Sequence, residues 1–241
     1  MPRSLIVLLA FVAGWVDASS FVGLDHVMAA HITGNLVVLA SDIAAGFTTK
    51  DTLKVVILPV FFVGVMFITT LHDRYIVRIG DRNCQLARLL YWEAGLIGLT
   101  GALGAWTSVK GIVPDFWLSL LIVTPVTFGM AAQNAAHRLY PVIGPATTVM
   151  TGNITQFFID KTRAIGGRDS ASQIDDMPRN ENILPLLILA FGTGCILGAL
   201  TTGAVGNGAF LLAAAVVLAN ALTLRQHESP AGGGKQTERK P

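Results

Sequence analysis

The sequence predicts an all-α protein, a polytopic membrane helix bundle made of two internal repeats, each with three crossings and one broken or re-entrant Thr-Gly-Asn segment. Three observations predict it. Across 241 residues, 52% are hydrophobic and 13% charged, with a mean hydropathy of +0.60, a balance too apolar for a soluble domain of this size. Eight apolar segments approach the roughly 20 residues that a helix needs to cross a bilayer. A polar Thr-Gly-Asn triplet interrupts two of them, at an offset of 118 residues.

Segment 5–22 comes first, after Arg3. Its apolar run to Ala13 and the small residues Val16 and Ala18 imitate a cleaved signal peptide, but Trp15 and Asp17 near the supposed cleavage point argue for a retained helix. Segment 27–46 carries Thr33-Gly34-Asn35, and segments 53–72 and 86–107 flank a loop holding Arg74, Arg78, Arg82 and Arg88. Segment 117–137 ends in the polar patch Gln133, Asn134, His137 and Arg138, and 143–160 carries Thr151-Gly152-Asn153. A second charged loop with Lys161, Arg163, Arg168 and Arg179 leads to 184–204 and 208–225. The 25 glycines suit close helix approach in lipid, where no hydrophobic drive pulls helices together. Residues 1–225 read as a single transmembrane domain. The stretch 226–241, with Pro230 and Gly232-Gly233-Gly234, reads as a disordered cytoplasmic tail.

The repeat rests on context more than on the tripeptide. Each triplet interrupts an apolar segment, is followed seven residues later by an aspartate (Asp42 and Asp160), and is preceded by a polar patch, Asp17-Ala18 or Asn134-Ala135. Repeat 1 then spans 5–107 and repeat 2 spans 117–225. Charge selects the number of crossings, because Lys and Arg in short loops stay cytoplasmic. With eight crossings and a cytoplasmic N-terminus the four-Arg loop falls outside. With six, the triplet segments dipping in and returning, only Lys50, Lys54 and Lys110 of the 17 basic residues lie outside. Six crossings place both termini in the cytoplasm, and three per repeat make the halves inverted, an architecture used by many transporters.

Non-helical backbone at membrane depth persists only where it is buried in protein or lines a watery cavity. Thr and Asn of a triplet can cap a helix starting just after it, Gly eases the turn, and the helix N-terminus then offers N–H groups to a polar solute. The substrate-binding candidates are Asp17, His31, Thr33, Gly34, Asn35, Gln133, Asn134, Thr151, Gly152 and Asn153. A triplet that merely kinks a buried helix is the plainer reading of the same residues. An intramembrane carboxylate is a functional candidate by default, and His31 can exchange a proton near neutral pH. Asp42 and Asp160 read as interfacial terminators, and Glu93 as paired with Arg88 or the interface. Cys84 and Cys195 have no metal-ligand spacing and read as structural. No nucleotide loop, zinc motif or nucleophile elbow is present, so no catalytic residue, metal or cofactor is expected. The net charge of +2 gives no nucleic-acid surface.

Gly14-Trp15-Val16-Asp17-Ala18, Phe21, Ala30-His31-Ile32-Thr33-Gly34-Asn35 and Gln133-Asn134-Ala135 together resemble the signature of the YoaK-like bacterial membrane proteins, over about the first 225 residues. That family is described as multi-spanning inner-membrane proteins of uncharacterised function. The resemblance therefore implies a bacterial cytoplasmic membrane and lipid contact, and supplies no catalytic residue. The functional expectation is a small-solute or ion transporter or channel, not an enzyme, with its polar site where the repeats meet and oligomerisation left open. The alternative is a membrane scaffold or accessory protein whose partner binds the cytoplasmic loops. A third reading, an intramembrane enzyme using Asp17 and His31 as acid and base, needs a convergent electrophile-binding group.

Overall fold

The computed structural model describes residues 3–166 and 183–226. The tail 226–241, apart from Gln226 itself, lies outside the described residues, as do Arg168 and Arg179 of the second charged loop. The described residues form helices and connections without strands. Six helices are long: α1 (Arg3–Gly23), α3 (Thr52–Leu71), α4 (Arg82–Lys110), α5 (Phe116–Leu139), α7 (Leu184–Val205) and α8 (Phe210–Gln226). Two are short, α2 (Gly34–Gly46) and α6 (Met150–Ile165), the positions of the triplets. Four helical runs are long and apolar enough to cross a membrane: Arg3–Gly23, Thr49–Ile76, Phe116–Leu139 and Leu184–Arg225. The last joins α7 to α8 through a single turn at Gly206–Ala209. At 29 residues α4 has the length to cross, but Glu93 and its glycines make it less apolar. The 13 residues of α2 extend only about 20 Å at 1.5 Å per residue, too short for a crossing.

Helix directions follow from side-by-side contacts. Along α1 and α7, Phe11 meets Gly194, Trp15 meets Gly198, and Gly23 meets Thr202, so the two run parallel. Along α3 and α5, Gly64 lies on Ala131, and His72 at the end of one reaches Tyr140 at the end of the other, so they too are parallel. Against α4, α8 is antiparallel (Gly104 on Asn207, Gly101 on Leu211, Gly98 on Ala214) and so is α5 (Thr100 to Ile122, Glu93 beside Gly129). Asn207 touches both Gly23 and Gly104, which puts the C-terminal ends of α1 and α4 together. Accordingly α1, α4 and α7 run one way while α3, α5 and α8 run the other. Segment 24–51 leaves one end of the bundle and rejoins it there, with α2 lying on α3. The segment containing α6 starts from the opposite end and lies on α7.

Local chemistry sets the ends. Asp81 and Asp115 accept hydrogen bonds from Cys84 N and Leu118 N, both 2.9 Å, as N-caps of α4 and α5. α4 closes on Gly111 in the left-handed conformation, which spares a Cβ penalty. The α1–α7 seam needs glycine for a different reason: a Cβ on Gly14 would stand 2.1 Å from Phe191 O, and one on Gly194 2.1 Å from Phe11 O. The helices there touch backbone to backbone, the small-residue packing open to helices in lipid.

The expected helix starts just after the triplets are corrected: helix starts at Gly34, inside the first triplet, and at Met150, just before the second. Nor do the triplets cap helices that follow them. Thr33 is the N-cap of α2 without a side-chain cap bond, and in α6 the triplet sits inside the first turn after Val149. The first N–H groups of α2 are already spent within the turn, Gly34 N on His31 O and Asn35 N on Ile32 O, leaving no open donor crown for an anion.

Candidate functional site

The chain after α1 turns at Asp25 and His26, both with positive φ (49° and 59°), a conformation that costs non-glycine residues and reverses the backbone sharply. The reversal carries residues 28–33 back alongside α1. There the buried Asp17 carboxylate receives them: Oδ1 accepts from Ala30 N at 2.6 Å and from His31 N at 3.3 Å, while Oδ2 pairs with His31 Nδ1. Asn35, fully buried, closes the loop by a reciprocal pair with Met28, its Oδ1 accepting from Met28 N and its Nδ2 donating to Met28 O, each 2.8 Å. His31 also stacks edge-on against Phe191 of α7. Asp17 and His31 lie on an apolar groove of about 580 Å³, walled by Phe21, Met28, Phe191 and Cys195.

In the second half other side chains tie a loop over the same residue spans. Asn134 Oδ1 accepts from Thr148 Oγ1 at 2.6 Å, spanning 14 residues as Asp17 and His31 do. Asn153 Nδ2 donates to Ala146 O at 2.9 Å, spanning seven residues as Asn35 and Met28 do. Deeper in, Gln133 Nε2 donates to Thr147 Oγ1 (2.6 Å) and to Leu9 O of α1 (2.9 Å), and His137 Nε2 shares Thr147 Oγ1 at 2.9 Å.

The sequence candidates therefore fall into two separate groups. Asp17, His31 and Asn35 come together around loop 28–31, and Gln133, Asn134 and Asn153 around loop 146–148. Thr33, Gly34, Thr151 and Gly152 sit in the first turns of α2 and α6 or just before them, with Thr151 and Gly152 exposed. The side-chain hydrogen bonds of Asn35 and Asn153 to backbone reach their own loops and not the opposite triplet. Leu9, which Gln133 contacts, lies eight residues before Asp17 on α1, so about 12 Å of helix separates the two levels.

Sequence reasoning missed several members. Thr147 and Thr148 passed unremarked within the apolar segment 143–160, though an offset of 117 from His31 to Thr148 could have found the latter. Glu93 is not paired with Arg88 as expected: it is 0% exposed with neither carboxyl oxygen hydrogen-bonded. Lys54, counted among the three basic residues on the outer side, is 2% exposed and clamped between Asp42 and Asp51, both at 2.8 Å. Asp42 is thus an ion-pair partner holding α2 to α3. Among the described residues no cluster of His, Cys, Asp and Glu could hold a metal ion.

The family described as Protein of unknown function (DUF1275) matches residues 5–223, nearly the whole of the helical bundle. The chain belongs to this family. DUF1275 membership agrees with the YoaK-like signature around Asp17 and the triplets. The chain is similar to the UPF0700 transmembrane protein YoaK of Bacillus subtilis (strain 168), 25% identical over 199 residues that cover 82% of this chain and 83% of that one. No solved structure matches. With the relative's transmembrane description and four apolar runs of crossing length, this DUF1275 chain is a membrane protein in contact with lipid.

Proposed function

We propose that the chain is a transporter or channel for a small solute in the bacterial cytoplasmic membrane. It has six crossings in two inverted repeats, and loops 24–33 and 140–149 re-enter the bilayer from opposite faces. The observation that carries this reading is the Asp17–His31 pair, a buried carboxyl against a half-buried imidazole on an apolar groove between α1 and α7, with Asn134–Thr148 at the corresponding place in the other half. An intramembrane carboxylate is costly to bury, and Asp17 also faces the groove beside the loop it holds, where it can meet a solute. Three features support the inverted repeat: the equal 14- and seven-residue spans, the alternation of six long helices, and the exchange of partners by which α1 lies on α7 as α5 lies on α3. The unequal chemistry, Asp–His against Asn–Thr, makes the two loop sites asymmetric. The role read here is binding and passage, without catalysis.

Topology is tested with single cysteines at positions 50, 110 and 78 in a background lacking Cys84 and Cys195, labelled from outside intact cells. Labelling at 50 and 110 with 78 protected is expected; protection of 50 with labelling of 78 would sink the six-crossing plan. Passage is tested in proteoliposomes given gradients of glycerol, urea, potassium chloride or sodium acetate and followed by light scattering. At least one gradient is expected to relax faster than in empty vesicles, and more slowly with Asp17→Ala. The accessory-protein reading has its own support, because Asn35 and Asn153 spend their side chains inside their own loops. Relaxation equal to empty vesicles in all four gradients would favour it.

A further inference from the structure

A second groove, of about 590 Å³, lies between the end of α3 and the first half of α4, apart from the loop sites around Asp17 and Asn134. Its α4 wall is Arg88, Tyr91, Trp92, Gly95 and Leu96. These positions recur at three and four residues and so form one stripe of the helix. From Arg88 to Leu96 the stripe runs about 12 Å toward the middle of α4. Leu71, the last residue of α3, and Tyr75 in the turn after it face the stripe. Phe67 of α3 packs edge-on against Trp92, with ring centroids 6.4 Å apart, and holds the indole in place. Gly95 keeps the wall open, since a Cβ there would meet no atom within 4 Å. Tyr75 and Trp92 are exposed, and such rings favour the level where lipid headgroups meet acyl chains.

Arg88 is the cation of this groove, and the protein does not answer it. The side chain is half-buried and has neither an ion pair nor a hydrogen bond among the described residues. The nearby acids are otherwise placed: Glu93 is fully buried with both carboxyl oxygens unbonded, Asp73 pairs with His72, and Asp81 caps α4. Tyr91 gives its ring to the wall, while its hydroxyl is closed off from solvent and unbonded, which leaves charge recognition to Arg88. Arg74, Arg78 and Arg82 are exposed at the same end of the bundle, and among the described residues none of them has a carboxylate partner. A planar guanidinium matches two phosphate oxygens, and basic pockets between membrane helices take anionic headgroups. A free phosphate would meet the guanidinium and leave the apolar stripe empty. A zwitterionic lipid brings its own cation beside its phosphate, whereas an anionic lipid brings the net negative charge that Arg88 lacks.

We infer that this groove binds an anionic phospholipid, its phosphate on the Arg88 guanidinium and one acyl chain along Trp92, Gly95 and Leu96. The site needs only a chain in contact with lipid, so it goes beyond the transport reading and holds whether or not a solute passes. The test is native mass spectrometry of the full chain in mild detergent, titrated with phosphatidylglycerol or with phosphatidylcholine of the same acyl chains. Phosphatidylglycerol adducts are expected at about tenfold lower lipid concentration than phosphatidylcholine adducts, the size of one charge-assisted contact. Arg88→Gln is expected to lose that preference. Gly95→Leu keeps the cation but fills the groove, and is expected to weaken phosphatidylglycerol retention by about tenfold as well. Should Arg88→Gln fail to fold, Gly95→Leu, which displaces no atom, reads the site alone. Equal retention of the two lipids by wild type, or wild-type retention of phosphatidylglycerol in either folded variant, would overturn the inference. So would a dimer of the chain that carries no lipid, because a second copy would then be the occupant of the groove.

Discussion

Asp17 shows how much of the first half depends on one side chain. Its carboxylate holds two backbone N–H groups and the His31 ring, and so fixes a loop that otherwise has few polar ties to α1. Removing the acceptor strands buried donors, the expensive direction of a hydrogen-bond change. Asp17→Ala is expected to cost about 3 kcal/mol and Asp17→Asn, which keeps an acceptor for Ala30 N, about 1 kcal/mol, measured by denaturant unfolding in mild detergent. Equal losses from the two substitutions would show that the charge and not the acceptor holds the loop. Asp17 and His31 were legible in the sequence because polar residues in an apolar run are conspicuous. Glu93 was conspicuous too, but Arg88 five residues away supplied a plausible partner, and only packing shows that it is fully buried beside Gly129 of α5 with neither carboxyl oxygen hydrogen-bonded. Lys54 misled for the converse reason: at the edge of an apolar segment nothing local distinguishes a hydrated lysine from one closed over by two aspartates.

Two elements depend on contacts of opposite kinds. The short helix α2 is fastened to α3 through Lys54, whose ammonium answers Asp42 on α2 and Asp51 at the start of α3. Breaking a buried ion pair from one side leaves uncompensated charge, and because α2 lies at an end of the bundle the damage should stay local. Lys54→Met is therefore expected to raise amide hydrogen exchange across residues 34–51 while α1 and α7 remain protected; loss of protection throughout would show that α2 is integral to the core. The α1–α7 seam depends on absent atoms. Gly194→Leu would drive a side chain into the Phe11 carbonyl and is expected to abolish a monodisperse folded species on size exclusion, whereas Gly192→Leu, with no atom within 4 Å of its Cβ position, is expected to elute as wild type. The lengths of the long helices were legible within a few residues, since bilayer thickness fixes the size of an apolar run. The starts of α2 and α6 were not: a loop buried against protein carries the same apolar residues as a helix buried in lipid.

Across the whole molecule, the segments and the triplet offset were readable, but the pairing of helices was not. A helix surrounded by lipid and by other apolar helices needs no polar face, so periodicity points to no partner. Partners emerge only from where glycines meet backbone and where polar side chains cross between helices. Under the proposed inverted repeat two loop clasps correspond, Asp17–His31 in one half and Asn134–Thr148 in the other, each spanning 14 residues. If the two clasps are versions of one device, the first should accept the chemistry of the second when both members change together. Asp17→Asn alone trades a charged acceptor for a neutral one beneath a histidine; His31→Thr alone leaves the carboxylate without its ring partner. The double variant rebuilds an amide–hydroxyl pair like Asn134–Thr148, which is already stable at 2.6 Å. It is expected to lose less stability than the two single losses added together, by about 1 kcal/mol for residues in direct contact, read from a double-mutant cycle of detergent unfolding. Strict additivity would mean that the Asn–Thr pair depends on surroundings the first half lacks, and the likeness of the two clasps would then be one of backbone path alone.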